Sequence, residues 1–491
     1  MRNSFLVSIK CPECGGPLRY PEGAFTFKCS FCNSVLRTQT DRVTLKYIIP
    51  CPLDQKNILI AIKKIIASKK NLPRKFKTIK QIKTYYKPFW YFKGMIYSCH
   101  SSKGKHEVEA KTWYYTFPAD HSFVPSFQSL GIRSEVLTIE PYDSEMFQKK
   151  EIALPLTIDK NAAEKKAELL ANKKIDYSQL FKNHPKTSIV AKLLAEKKTD
   201  PSLLFSNYSK TSIIGERFFI IYYPVIKITC AGGDYCHTFM LDGINKNLLD
   251  EYEGKHNVVA SKNEKLTSYH ITFLSHRCKN CGNDLEPRDF DIIFYCKNCF
   301  RLWLLKGKDY YSQKIRILET PKRENTIFLP FWRFEVIITS KSTNLKIKTI
   351  GDLSKFMKMG LHMLRNENQD RPVRFYVPAL VTRNARAIIK LAAKIGIKQK
   401  ELPVSETEDF PSENIWNASL PEEEAEEMLE PLIFLVVGLA HRKAINFYKD
   451  FKIKVTDKQL VYYPFEDKGN FMLDHFHNYN FPKRSFDLNV Y

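Results

Sequence analysis

Apolar and polar positions alternate with a period of two at two places in the chain, each opened by the same tripeptide. After Pro88-Phe89-Trp90, the residues Trp90, Phe92, Gly94 and Ile96 alternate with Tyr91, Lys93 and Met95. After Pro330-Phe331-Trp332, the residues Trp332, Phe334, Val336 and Ile338 alternate with Arg333, Glu335 and Ile337. Successive side chains of a strand point to opposite faces, so both segments predict strands with one buried face and one partly wet face. The leading proline is read as the start of the strand, where a missing N–H does least harm to the ladder. The alternation returns after Tyr222-Tyr223-Pro224 in Ile226, Ile228 and Cys230. Glu466 breaks it after Tyr462-Tyr463-Pro464, so the last module is expected to be degenerate or short. Ala231-Gly232-Gly233-Asp234 predicts a hairpin turn between Cys230 and Cys236.

A helical period fills the intervals. Asp54 is placed to cap a helix whose Ile58, Ile62, Ile65 and Ile66 share a face, and Arg383 to Ile395 predicts a helix closed by Gly396. Asp159 to Lys173 and Pro421 to Leu429 predict helices in corresponding places, each after a Leu-Pro pair. The segment LLANKKIDYSQLFKNHPKTSIV from Leu169 returns as LLAEKKTDPSLLFSNYSKTSII from Leu193, identical at fourteen of 22 positions, and reads as a local duplication forming a helical excursion.

The larger pattern is also repeated. Pro88-Phe89-Trp90 matches Pro330-Phe331-Trp332, Phe117-Pro118-Ala119 matches Val377-Pro378-Ala379, and Tyr222-Tyr223-Pro224 matches Tyr462-Tyr463-Pro464, always in the same order. Ordered self-similarity of this kind predicts a tandem duplication. The expected fold is α+β: two tandem related lobes of antiparallel sheet with helices, each preceded by a four-cysteine zinc ribbon. The boundaries expected are a first ribbon over 1–42, a lobe over 43–262 with its helical insertion at 160–215, a second ribbon over 263–306 and a second lobe over 307–491.

Twelve cysteines carry the clearest chemistry. Cys11-Pro-Glu-Cys14 and Cys29-Ser-Phe-Cys32 are separated by fourteen residues, as are Cys278-Lys-Asn-Cys281 and Cys296-Lys-Asn-Cys299. A CxxC pair turns tightly enough to put two thiolates on one side of an ion at about 2.3 Å, and a second pair completes a tetrahedron. Four thiolates leave no open position for water, so the expectation is two structural Zn2+ ions held by Cys11, Cys14, Cys29 and Cys32 and by Cys278, Cys281, Cys296 and Cys299. A redox CxxC pair would stand alone after a strand. Each knuckle calls for positive φ just after its second cysteine. Gly15 and Gly282 supply it, Asn33 substitutes for them, and Phe300 departs from the pattern. The hairpins between the pairs are read as Leu18 to Tyr20 with Phe25 to Phe27, and Leu285 with Asp291 to Tyr295.

These motifs resemble the rubredoxin-like zinc ribbons of transcription factors and of many bacterial proteins, for which CPECGG followed by Leu18 is a common opening. The resemblance covers about 35 residues of each half and implies a fold rather than an activity. The arrangement also resembles uncharacterised bacterial zinc-ribbon proteins in which a Tyr-x-Ile-Pro segment, here Tyr47-Ile48-Ile49-Pro50, precedes a helix and a Pro-Phe-Trp strand. Cys51, Cys99, Cys230 and Cys236, with His100 and His237 adjacent to two of them, offer a third metal site or a set of buried strand thiols. His475 and His477, read as alternating on a strand beside Asp474, offer a further one.

Composition changes this picture in three ways. With 491 residues, 44% hydrophobic, 34 Phe and 25 Tyr but only 18 Gly, the chain is that of a folded protein of several domains. Its longest apolar run, Pro431 to Ala440, is about half of what a membrane-spanning helix needs and is read as a buried segment. MRNSFLVSIKCPEC lacks the hydrophobic region and cleavage site of a signal peptide, which points to the cytoplasm and reduced thiols. The formal charge of +24 becomes +20 when each zinc-tetrathiolate contributes −2. Of the 77 basic residues 57 are Lys, a bias that AT-rich coding also produces.

That charge is unevenly spread. Residues 55–105 carry fourteen Lys or Arg and no Asp or Glu, whereas 401–430 carry eleven Asp or Glu and no Lys or Arg. The basic strip, with Lys63, Lys64, Lys69, Lys70, Arg74, Lys75 and Lys77 at its centre and Tyr85, Tyr86 and Trp90 interleaved, is suited to following phosphates and stacking bases. It is equally suited to pairing with the acidic segment. No GxGxxG, GxxxxGK[ST], HExxH or GxSxG motif occurs, so no catalytic residue is assigned and an enzyme is not expected. The leading expectation is a non-catalytic zinc-binding scaffold or adaptor that docks other proteins. Non-specific nucleic-acid binding through 55–105 is the alternative.

Overall fold

A computed structural model of the chain describes residues 9–18, 26–39, 44–52, 55–69, 78–102, 105–120, 124, 126–130, 140–142, 151–173, 208–232, 235–254, 272–286, 291–307, 309–319, 325–357, 368–382, 384–412, 414–440 and 445–486. They form an α+β structure dominated by antiparallel sheet. The first large sheet contains β1 (Leu45–Ile48), β2 (Thr78–Ser102), β3 (Lys105–Pro118), β4 (Glu140–Pro141), β5 (Glu151–Ala153), β6 (Tyr208–Gly232), β7 (Tyr235–Asp242) and β8 (Leu248–Glu253), with helices α1 (Gln55–Ser68) and α2 (Lys160–Lys173). The second contains β9 (Ile315–Leu318), β10 (Thr326–Ser340), β11 (Leu345–Ile347), β12 (Val373–Pro378), β13 (Val404–Thr407), β14 (Lys452–Asp467), β15 (Phe471–Asp474) and β16 (Asn480–Pro482). Its helices are α3 (Ile350–Met357), α4 (Ala385–Lys398), α5 (Glu422–Glu427), α6 (Leu429–Ala440) and α7 (Ile445–Asp450).

The repeated tripeptides occupy the same places in both sheets. Pro88 lies opposite Tyr222 and Pro330 opposite Tyr462, while Trp90 faces Phe117 and Trp332 faces Val377. The Ala119 N–H donates to Pro88 O at 2.9 Å and the Ala379 N–H to Pro330 O at 2.8 Å. Both indoles reach a carbonyl beyond the sheet: Trp90 Nε1 donates to Ile158 O at 2.9 Å and Trp332 Nε1 to Leu420 O at 3.0 Å. At the hairpin that follows, Tyr223 donates to Asp242 Oδ1 at 2.8 Å and Tyr463 to Asp474 Oδ1 at 2.9 Å. β1 runs parallel to β6 as β9 does to β14.

One apolar cluster joins the halves. It takes Met95, Tyr97, Cys99, Ala110 and Ile214 from the first sheet together with the buried faces of α4, α6 and the second sheet. This accounts for the apolar run of α6: Leu432, Ile433, Phe434, Val436 and Val437 are buried and Leu435 packs against the same cluster. Arg217 Nη1 pairs with Glu424 at 3.3 Å and Arg217 Nη2 donates to Ser419 O at 3.0 Å, and Lys210 pairs with Glu430 at 2.5 Å at the margin.

Several expectations are corrected. The alternation on β10 holds only from Phe334 on, with Phe334, Val336 and Ile338 buried and Glu335, Ile337 and Thr339 half-buried; Arg333, expected on the wet face, is buried. On β2 both faces are covered, because Phe89 and Tyr91 pack into one cluster and Trp90 and Phe92 into others. Of the insertion expected to be helical over 160–215, residues 160–173 form α2, capped by Asp159 Oδ1 accepting from the Ala162 N–H at 2.8 Å; 208–215 belong to β6 instead, and 174–207 lie outside the described residues. α1 begins at Gln55, buries Ile58 and Ile62 and half-buries Ile65 and Ile66 as expected, while Asp54 lies outside the described residues. α4 is capped by Asn384 and runs through Gly396 to Lys398, ending at Gln399 with φ +46. Gly396 is therefore no stop signal: a Cβ there would lie 2.8 Å from the Phe375 ring, so glycine lets helix and sheet approach. The helix expected over 421–429 divides at Met428 into α5 and α6. β14 ends three residues past Pro464, whereas β6 runs eight past Pro224.

Candidate metal centres

All four CxxC knuckles have one backbone solution. The N–H after the second cysteine returns to the carbonyl of the first, from Gly15 to Cys11, Asn33 to Cys29, Gly282 to Cys278 and Phe300 to Cys296, at 2.8 to 2.9 Å. The first cysteine's N–H closes the outer turn on Gly16, Ser34, Asn283 and Arg301. This double turn demands positive φ at its fifth residue, and Gly15 (+70), Asn33 (+56), Gly282 (+75) and Phe300 (+61) all comply. Phe300 departs from the pattern in sequence but not in conformation. Its ring packs against the large apolar cluster, which offsets the cost of a left-handed phenylalanine.

The knuckles bring the eight predicted cysteines into two clusters, each with four sulfurs within 4.8 Å of one another. Cys11 and Cys32 Sγ are 3.8 Å apart, as are Cys14 and Cys29; the pairs Cys278–Cys299 and Cys281–Cys296 are at 3.3 and 3.5 Å. Metal–sulfur bonds of about 2.3 Å set the edge of a tetrahedron at about 3.8 Å, so the first cluster has the size of a metal site and the second is slightly tighter. Polar hydrogens already point at the sulfurs: the Glu13 and Phe31 N–H groups donate to Cys11 and Cys29 at 3.4 Å, and Trp303 Nε1 to Cys278 at 3.1 Å.

Thiol acidity follows the same geometry. The hydroxyl and N–H of Ser34 pull Cys32 down to about 6. The Gly16 N–H favours the Cys14 thiolate, yet desolvation and the three neighbouring sulfurs push Cys14 up to about 12. In the second cluster burial pushes Cys296 up to about 12, while hydrogen bonds from Asn298 and Asn283 overcome burial at Cys281 and bring it down to about 6. Each cluster thus pairs a readily ionised thiol with one that resists ionisation, and four thiolates so close together need a cation.

The two ribbons are packed on each other. Thr272–Ser275, entering the second ribbon, pairs with Val35–Gln39 of the first and completes a three-stranded sheet with Thr26–Lys28. Arg37 Nη2 donates to Asp291 O at 3.1 Å and its guanidinium lies over the Phe294 ring. Arg277 crosses in the other direction to Ser34 Oγ at 2.7 Å and Glu13 at 3.2 Å. His276, buried between the ribbons, bonds to Tyr310 and Glu286 O, and burial and Arg37 lower its pKa to about 4. The strand Pro17–Leu18 pairs with Ile9–Lys10 rather than with the expected hairpin partner near Phe27.

In comparisons with family models, curated proteins and solved structures, nothing matches this chain.

The other predicted sites fare differently. Cys51, Cys99, Cys230 and Cys236 do not converge: Cys99 lies in the cluster between the sheets and Cys230 under α1, and burial pushes Cys230 up to about 11. Among the described residues only the two four-cysteine sets approach one another as metal ligands do. His475 and His477 sit in the turn after β15 rather than on a strand, and His477 Nδ1 meets Asp474 Oδ2 at 3.0 Å and the Tyr463 hydroxyl at 3.1 Å.

The basic strip is not one surface. Lys63 and Lys64 are exposed on α1, Lys69 pairs with Glu251, Lys87 and Lys93 are buried, and Lys70, Arg74, Lys75 and Lys77 lie outside the described residues. Tyr85, Tyr86 and Trp90, the expected stacking platform, are 6%, 4% and 2% exposed, so bases cannot reach them. The acidic segment pairs elsewhere: Glu406 with Lys314 and Arg316, Glu422 with Lys458, Glu424 with Arg217 and Glu430 with Lys210. Sequence reasoning missed Arg37, Arg277 and Trp303, whose partners are more than 240 residues away or depend on a hairpin's twist.

Proposed function

We propose that each cluster holds one structural zinc ion in a rubredoxin-like ribbon, that the two sheets are tandem copies of one lobe, and that the chain is a non-catalytic cytoplasmic scaffold that docks other proteins. The matched pairings of Pro88 and Pro330, the matched indole bonds and the matched Tyr–Asp hairpin locks support the tandem relation. The observation that carries the scaffold reading is the single apolar cluster that fuses both sheets through α4 and α6. Two related lobes fixed to each other, with closed thiolate centres at one joint, make a rigid body offering two similar surfaces. Among the described residues no helix is long and apolar enough to cross a membrane.

The second reading, non-specific nucleic-acid binding, draws on one observation: Lys83 and Lys227 stand directly opposite each other on β2 and β6. Burial and Lys83 lower the pKa of Lys227, so an anion there would relieve both. Affinity capture of the metal-loaded chain from its native cells, with and without nuclease, separates the readings. A scaffold retains protein partners after nuclease. Loss of all partners, with nucleic acid recovered from the untreated sample, would overturn the scaffold reading in favour of the second.

A further inference from the structure

We infer that the two cysteine clusters load metal cooperatively and that Arg277 carries the coupling. The inference rests on the zinc reading above and extends it from two independent centres to one linked pair.

The route is short and continuous. Cys32 Sγ lies 3.1 Å from Ser34 Oγ, and Ser34 Oγ accepts from Arg277 Nη2 at 2.7 Å. Arg277 directly precedes Cys278, a ligand of the other cluster. A second branch runs from Arg277 Nη1 to Glu13 at 3.2 Å, and the Glu13 N–H donates to Cys11 Sγ at 3.4 Å. Asp284 holds the guanidinium from the second ribbon, its Oδ1 accepting from Arg277 Nε at 3.0 Å. Arg277 therefore touches the first cluster's supporting shell while its backbone is fixed by the second cluster's knuckle.

The sheet pairing gives the coupling a second path. The first ribbon takes its third strand, Thr272–Ser275, from the chain entering the second ribbon, and the His276 N–H continues that ladder to Val35 O at 2.9 Å. The second ribbon has its own third strand, Asp309–Gln313. Metal in the second cluster fixes Cys278 and with it the strand and the guanidinium that the first cluster needs. Metal in the first cluster fixes Cys32 and Ser34, the docking point for Arg277. Two loaded clusters of net charge −2 repel, and the guanidinium between them offsets that repulsion. Linkage requires each site to raise the other's affinity by the same factor.

Cobalt(II) titration of the full chain, read by its thiolate charge-transfer and ligand-field absorption, tests this. Four variants are needed: Cys11→Ser with Cys14→Ser, Cys296→Ser with Cys299→Ser, Arg277→Ala and Arg277→Lys. The site left in each double-cysteine variant should bind cobalt about tenfold more weakly than in the native chain, by the same factor in both directions. Arg277→Ala keeps all eight cysteines and should bind two ions at the weakened affinities, with Arg277→Lys recovering only part of the loss because lysine lacks the fork that spans Ser34, Glu13 and Asp284. Affinities within about twofold of native in the double-cysteine variants, or an Arg277→Ala chain that keeps the full factor, would overturn the inference. Failure of the zinc reading itself looks different: the native chain would then bind fewer than two ions with tetrathiolate spectra.

Discussion

Lys87 and Asp120 form a buried ion pair, Nζ to Oδ1 at 2.6 Å, with side chains 2% and 6% exposed. Burial lowers the pKa of Lys87 despite the opposing pull of Asp120, so the ammonium is held at a cost. At the matching positions of the second sheet, adjoining Pro330 and Ala379, stand Leu329 and Leu380, both fully buried. The same site is thus built once from charges and once from hydrocarbon. Removing one charge strands the other, and Lys87→Leu or Asp120→Leu alone should cost about 3–5 kcal/mol. Replacing both should be neutral or stabilising by about 1–4 kcal/mol, because neither ion is then desolvated. In a unit of this size each kcal/mol moves Tm by roughly 2–4 °C, so the single variants should melt roughly 6–20 °C below the native chain and the double variant at or above it. Differential scanning calorimetry of the zinc-loaded protein reads all four. A double variant as unstable as the worse single one would refute the reasoning, since the two sheets would then not present interchangeable sites.

Three further outcomes follow from the same geometry. Gly396→Ala gains up to about 1 kcal/mol of helix propensity but drives a Cβ to 2.8 Å from the buried Phe375 ring, for about 1–3 kcal/mol of overpacking; Tm should fall, and a rise would show that the sheet yields. Asn33→Ala should speed chelator-driven zinc loss through about 1 kcal/mol of left-handed strain while Asn33→Gly should not, and equal rates would remove the argument from φ. Trp90→Phe and Trp332→Phe each leave a carbonyl, Ile158 O or Leu420 O, without its indole donor and should each cost about 1–3 kcal/mol by calorimetry; a loss in one sheet only would count against the tandem relation.

How much of this was legible depended on how local its cause was. The two cysteine clusters were readable, because a CxxC knuckle is closed by hydrogen bonds within six residues. That strands run through Pro88 and Pro330 was readable from their repeated neighbours, but not where they start: Pro88 lies ten residues and Pro330 four residues past the first residue of its strand. Burial was not: the alternation on β2 promised a wet face, but α2 covers one side and the loop around Phe127, with the second half of the molecule, covers the other. Gly396 was misread because close approach to Phe375 and a helix stop both call for glycine, and only the neighbour decides. The basic strip misled for a related reason. Charge runs are one-dimensional, whereas α1 and β2 send their lysines in different directions and bury two of them.

The central claim is that eight cysteines grip two zinc ions, and native mass spectrometry of the freshly purified, reduced chain measures this most directly. The account predicts one species heavier than the metal-free chain by two zinc ions, with the thiols of Cys11, Cys14, Cys29, Cys32, Cys278, Cys281, Cys296 and Cys299 protected from alkylation until a chelator is added. A metal-free chain whose eight thiols alkylate at once, or one with disulfides within the two sets, would contradict it.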